Sequence, residues 1–160
     1  MRIIGIDPGL NTTGIGIIDI EGDHCAHVHH GIVRTRPADT TAARLVAIRD
    51  GVRALAREFE ARTGAIETSF VGNNVKSAMA LGQARAAAIL GLADAGLEVH
   101  EYTPNLVKQT VAGYGHGEKA QIALMVRLQL GLATDPTPAD AADALAVAIT
   151  HWAHARLAAR

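Results

Sequence analysis

Between Pro138 and Ile149 the chain reads PADAADALAVAI, in which Asp140 and Asp143 are the only polar residues. A helix that is apolar on all sides belongs inside a protein, so the rest of the domain must wrap around this one. Asp140 and Asp143 are three residues apart in sequence and project from one helical face, with Cβ atoms roughly 5 to 6 Å apart. Two like charges on a buried helix repel each other and lose hydration, which weakens the fold unless something positive sits between them. Asp140 also has a structural reading. It falls at the third position after Thr137, where it can complete a capping box and favour the helix N-terminus through the macrodipole. Asp143 lies a turn further in, where Asp is a poor helix former and has no cap to serve. A functional role is the better reading of it.

The chain around this helix reads as one domain, residues 1–160. It has 160 residues, 49% of them apolar and 19% charged, which is enough apolar sequence for a sizeable core and too little solvating sequence for a disordered chain. No apolar run approaches the roughly 20 residues that span a bilayer, and the N-terminus MRIIGIDPG meets an acid before a signal-peptide core can form. A soluble, cytoplasmic protein without a membrane partner is expected. The single cysteine, Cys25, cannot form an internal disulfide, so stability must come from packing. With 15 Lys and Arg against 16 Asp and Glu, the net charge of -1 argues against a generic polybasic DNA binder. Acids gathered round a metal would still leave the remaining surface net basic.

Apolar runs and turn residues predict strands over residues 2–7, 13–20, 28–34, 64–70 and 97–102. Helical periodicity predicts helices over 41–62, 75–95, 104–112 and 118–130, and a last helix from Thr137-Pro138 to about Leu157. Strands grouped early and then alternating with helices give an α/β domain with a mixed sheet. Two more acids stand at strand ends. Asp7 precedes Pro8-Gly9, where an ordinary turn initiator is the common case. Glu67 lies in AIETSF, where a solvent-facing strand residue is the plain reading. Taken with Asp140 and Asp143, they make a set of hard oxygen ligands suited to Mg²⁺ or Mn²⁺, without the Cys and His clustering that zinc favours.

The runs IIGIDPGLNTTGIGII, AIETSF, LGQARAAAI, VKQTVAGYGHGEKAQI and DAADALAVAIT occur in an order and spacing that resemble the RuvC family of bacterial Holliday junction resolvases, from residue 3 to about 151. The resemblance implies an RNase H-like fold with a mixed five-stranded sheet flanked by helices. It also implies a homodimer that makes paired symmetric nicks in four-way junction DNA, in homologous recombination and DNA repair. By position it makes Asp7, Glu67, Asp140 and Asp143 the catalytic and metal-binding acids, with two Mg²⁺ per subunit and Mn²⁺ as a substitute. In a two-metal site the ions sit roughly 3.5 to 4 Å apart and serve the attacking and leaving oxygens. Asp7, on the central strand, is then the acid expected to bridge them. The resemblance also points to Lys108 and Lys119 as phosphate contacts, Phe70 as an aromatic at the junction crossover, and RuvA and RuvB as branch-migration partners.

This chain departs from the family pattern where Lys-Asn usually follows the Phe and Val71-Gly72-Asn73-Asn74 stands instead, so that a phosphate contact is either absent or supplied by Lys76. The Pro-Asp usual before the catalytic Glu is Ala61-Arg62 here, and the family's basic tail is missing by Arg160. These changes bear on affinity more than on chemistry. For Lys108 and Lys119 the plain alternative is a solvated position, and for Phe70 it is core filling. Ala78, Gly82 and Ala86 form a flat strip that either packs on the sheet or meets a second copy of the chain. Cys25, His27 and His29 alternate and so can share a strand face, but they lack a distant partner ligand, which leaves packing or solubility as their reading. The loop GYGHG lacks the Lys-Ser/Thr of a nucleotide-binding loop and reads as DNA-facing, with His116 a phosphate contact. Two alternatives remain open at this point: another RNase H-like nuclease, and a junction-binding protein that no longer cuts.

Overall fold

β1 (Arg2–Asp7) is the strand on which the other elements are arranged. It pairs antiparallel with β2 (Thr12–Glu21) on one side and parallel with β4 (Thr63–Glu67) on the other. β3 (His24–Arg34) extends the sheet beyond β2, and β5 (Glu98–Tyr102) extends it beyond β4, giving the order β3-β2-β1-β4-β5. The computed structural model describes residues 1–68, 72–113 and 119–159, with the side chain of Lys119 outside that set.

Alternation along the strands divides the core into two layers. Ile4, Ile6, Ile15, Ile17 and Ile66 face α1 (Thr41–Glu58) and α2 (Val75–Asp94), where they meet Ile48, Val52, Ala88 and Leu92. Ile3, Ile18 and Ala65 face the opposite way, onto α3 (Pro104–Ala112), α4 (Lys119–Leu130) and α5 (Ala139–Ala158). Ile3, Ile4, Ile6, Ile15, Ile17 and Ile18 are fully buried. Each such side chain contributes about 1.5–3 kcal/mol of transfer free energy, so β1 and β2 anchor both layers. This is the RNase H-like α/β arrangement, with a mixed five-stranded sheet between helices.

α5 is the enclosed helix that its composition demands, buried at nearly every position from Ala141 to His151. It lies close against the sheet because the strands present glycine there. A Cβ at Gly5 would stand 2.2 Å from the Ala144 carbonyl oxygen, one at Gly16 2.4 Å from the Leu145 nitrogen, and one at Gly14 1.9 Å from the Asp140 carbonyl oxygen. Gly5 and Gly16 are register partners, as are Asp7 and Gly14. The bare backbone of two adjacent strands is therefore the seat of the helix.

Four boundaries differ from the sequence reading by two residues or more. α1 ends at Glu58 rather than at 62, because Glu60 takes a left-handed φ of 52° and the Arg62 amide already donates to the Arg2 carbonyl. β3 starts at His24, four residues early, since the tight turn at Gly22 allows pairing from Glu21↔His24 onward. β4 ends at Glu67, with Thr68 adding one amide bond to the Tyr102 carbonyl, and the rest of the segment expected to run to Phe70 lies outside the described residues. α5 begins at Ala139 with Pro138 as its N-cap and no side-chain capping bond, so the capping-box reading of Asp140 does not hold. Asp140 sits in the first turn, where the macrodipole still favours it.

Candidate metal centre

Asp7 and Glu67 reach one face of the sheet by simple counting. Ile3 faces α5, so Asp7, four residues on, faces it too, and Ala65 places Glu67 on the same side. The parallel register pairs Ile6 with Ile66, which brings both acids to the ends of neighbouring strands. α5, seated on Gly14 and Gly16, carries Asp140 and Asp143 over that edge. Oxygens of Asp7, Asp140 and Asp143 lie within 4.8 Å of one another, and all three residues are half-buried. Glu67 lines the same pocket, of about 360 Å³, without belonging to the tight trio.

The four acids come from β1, β4 and α5, and the remaining walls come from the β1–β2 loop with the first residue of β2, from α3 and from Ile122 of α4. Pro8, Gly9 and Thr12 form one side, with Pro104, Val107 and Lys108 on another. The loop is fixed by Thr13, whose buried hydroxyl donates to the Gly9 carbonyl at 2.8 Å. Three carboxylates at this range repel strongly in partial burial, and all their donors are hard oxygens. That set fits Mg²⁺ or Mn²⁺ and does not suit a metal that prefers sulfur or imidazole.

Lys108 reaches the site: it is half-buried in the pocket wall, which sets it apart from an ordinary solvated lysine. Lys76 is exposed in the first turn of α2, after the Asn74 cap, and is not part of the pocket lining. Lys119 opens α4, but its side chain, like Phe70 and His116, lies outside the described residues. The strip on α2 points away from the sheet, with Gly82 and Ala86 exposed, while Ala84, Ala87, Ala88, Gly91 and Leu92 form the buried face. Packing of that strip on the sheet is thereby excluded.

Cys25, His27 and His29 do not share a face. A bulge between Ile17 and Ile18 in the β2 pairing places His27 opposite Ile18 and His29 opposite Ile17, so the alternation slips by one residue. His29 stacks on Phe59 of the α1 layer, whereas Cys25 packs into the α5 layer. Burial pushes the Cys25 thiol up to about 11. It is a packing residue.

Two features of the site escaped the sequence reading. Thr12 lines the pocket, and nothing distinguishes it from the other Thr in NTTG. Behind Glu67, its register partner Tyr102 shares a 2.8 Å hydrogen bond between the phenol and His151 Nδ1 of α5, and His151 Nε2 lies 3.4 Å from the Thr63 hydroxyl. The available signal was His151, just past the apolar run Ala144–Ile149 of α5.

The sequence profile of the family described as crossover junction endodeoxyribonuclease RuvC matches residues 3–151. The chain belongs to the RuvC family. A crossover junction endodeoxyribonuclease RuvC of Chloroflexus aurantiacus is 48% identical over 151 residues, covering 94% of this chain and 92% of that protein. The structure of Thermus thermophilus RuvC superposes with a TM-score of 0.90 at 36% identity, covering 99% of this chain and 97% of the other. Thermus thermophilus RuvC in complex with a Holliday junction substrate gives a TM-score of 0.92 at the same identity, covering 99% and 96%. Family membership makes the chain a nuclease dependent on a divalent metal, and the acidic trio is the group of described residues arranged to hold one.

Proposed function

We propose that this RuvC-family chain resolves four-way DNA junctions by paired symmetric nicks, as a homodimer in the cytoplasm, with Asp7, Glu67, Asp140 and Asp143 as its catalytic acids. The observation that carries the reading is the convergence of three carboxylates within 4.8 Å, with Glu67 in the same pocket, from segments more than 130 residues apart. Asp7, Asp140, Asp143 and Glu67 would hold two Mg²⁺ per subunit, or Mn²⁺ in their place. Divalent cations bound there supply an activated water and neutralise charge developing on the scissile phosphate.

What the protein itself contributes is position. α5 and β1 hold the acids rigidly, the Pro8–Thr12 loop closes one side of the pocket, and Lys108 offers its ammonium to a phosphate oxygen from the α3 side. Lys76, Lys119 and His116 are proposed as further phosphate contacts and Phe70 as the aromatic at the crossover. The products carry 5′-phosphate and 3′-hydroxyl ends, which a ligase can seal.

The homodimer reading draws on the outward face of α2. Met79 is 62% exposed and Leu90 54%, beside the open strip of Gly82 and Ala86 and an apolar groove shared with Leu45 and Val46 of α1. Paired active sites about a two-fold axis match a substrate with two equivalent strands. RuvA and RuvB are the proposed branch-migration partners.

The test is incubation with a synthetic mobile four-way junction, with and without Mg²⁺, resolved on a denaturing gel. Symmetric, Mg²⁺-dependent nicks in the junction, with duplex and RNA–DNA hybrid competitors left uncut, are expected. Preference for hybrid would indicate a different nuclease of this fold, and binding without cutting would indicate a protein that only recognises the junction.

A further inference from the structure

The wall of the metal pocket formed by the β1–β2 loop is fastened on its outer side to arginine. Arg44, in the first turn of α1, donates Nε–H to the Thr35 hydroxyl oxygen at 2.9 Å and Nη2–H to the Asn11 side-chain oxygen. The buried Thr35 hydroxyl donates in turn to the Leu10 carbonyl, and the Thr35 amide donates to the Asn11 carbonyl at 3.1 Å. Both hydrogen-bond acceptors of Arg44 are neutral, so its guanidinium is held in place by groups that do not neutralise its charge. Arg34 ends β3 directly opposite Thr12, a residue of the pocket, and is exposed with no ion pair among the described residues.

One acid faces this patch. Asp39 pairs with Arg36 at 2.9 Å, and its carboxyl is held below the ordinary range chiefly by the Arg36 hydrogen bond, with a smaller contribution from Arg44. Arg36 and Arg44 thus share one carboxylate, and Arg34 adds an exposed cation opposite Thr12, which leaves this side of the pocket net positive. A planar guanidinium fixed by neutral groups, with N–H bonds to spare, is arranged to donate to the non-bridging oxygens of a phosphate. The sheet order places this patch on the β3 side of the pocket, whereas Lys108 follows β5 on the other side.

We propose that Arg34 and Arg44 form a second phosphate-binding patch, which holds the backbone of the DNA strand on the β3 side after it has crossed the carboxylates. The inference rests on the reading of this chain as a DNA nuclease. It gives the strand an anchor on each side of the reacting phosphate, and it gives the Pro8–Asn11 loop a role as a spacer between metal and anchor.

The experiment measures binding of a fluorescein-labelled synthetic four-way junction in EDTA by anisotropy, over a series of NaCl concentrations. Arg34→Ala and Arg44→Ala should each lower the slope of log K against log salt by about one unit. Arg44→Lys, which keeps the charge, should restore the slope. Arg62→Ala serves as the control, since Arg62 is exposed at the opposite end of β4. An unchanged slope in both alanine variants overturns the proposal, and so does an Arg44→Lys variant as defective as Arg44→Ala, which would make the residue a fastener of the loop only. Failure of the unaltered protein to bind the junction would instead overturn the DNA-nuclease reading beneath it.

Discussion

At the scale of single residues, Asp143 is the acid with least structural reason to exist, and Asp7 is the one nearest the middle of the sheet. Asp7→Asn and Asp143→Asn each remove a charge while keeping shape and hydrogen-bonding capacity. Both should abolish cleavage, by a factor of at least about 10³, while leaving junction binding within about twofold. Gel assays and anisotropy on the same preparations check this, and substantial cutting by either variant would remove that acid from the mechanism. Lys108 acts on the other side of the balance. Lys108→Ala should reduce the salt slope of binding by about one unit, whereas a solvated lysine would leave it unchanged. Asp140 and Asp143 stand out in the sequence because a charge in an apolar helical run is costly, whereas Asp7 and Glu67 have ordinary readings at strand ends and became candidates only alongside the helix pair and through the family resemblance. Thr12 and Tyr102 were not legible there, because a polar residue at a strand end is ordinary and only the folded register shows what lies beside it.

Among the elements, the contact between α5 and the glycines of β1 and β2 decides where the acids stand. A methyl group at Gly14 would collide with the Asp140 carbonyl. Gly14→Ala should therefore displace the start of α5, costing about 1–3 kcal/mol of stability and weakening Mn²⁺ binding, as measured by urea unfolding and calorimetric titration. A variant with normal metal affinity would show that the helix is not positioned by this seat. Among the described residues, periodicity was enough for α1, which buries one apolar face, while α5 was legible because it is apolar on all sides and the strands because of their apolar runs and flanking turns. Periodicity did not reveal the seat, although alternating glycine in IIGID and TGIGIID is the mark of a backbone that something approaches closely. Nor did it reveal the bulge that separates Cys25 from His29, because inserting one residue into a pairing leaves no compositional trace.

For the molecule as a whole, two properties can be measured without DNA. Burial, with help from His100 and His154, lowers His151 to about 4 from an ordinary 6.5, against the opposing influence of Glu98. The folded state thus resists a proton that the unfolded chain accepts, so this contribution is complete above about pH 6.5 and is lost as pH falls toward 4. Urea midpoints should decline across that window, and His151→Gln should flatten the decline. Sedimentation at micromolar concentration should show a dimer, and Leu90→Glu on the outward face of α2 should dissociate it; a monomer in the unaltered protein would remove the two-fold arrangement.

The distance in sequence between Asp7 and Asp143 ties the proposed site to the last element of the fold. Until α5 settles onto its glycines, the three carboxylates are not together. On the proposed assignment, cation binding is therefore a reporter of this last packing step, since Asp7 meets Asp140 and Asp143 only in the assembled domain.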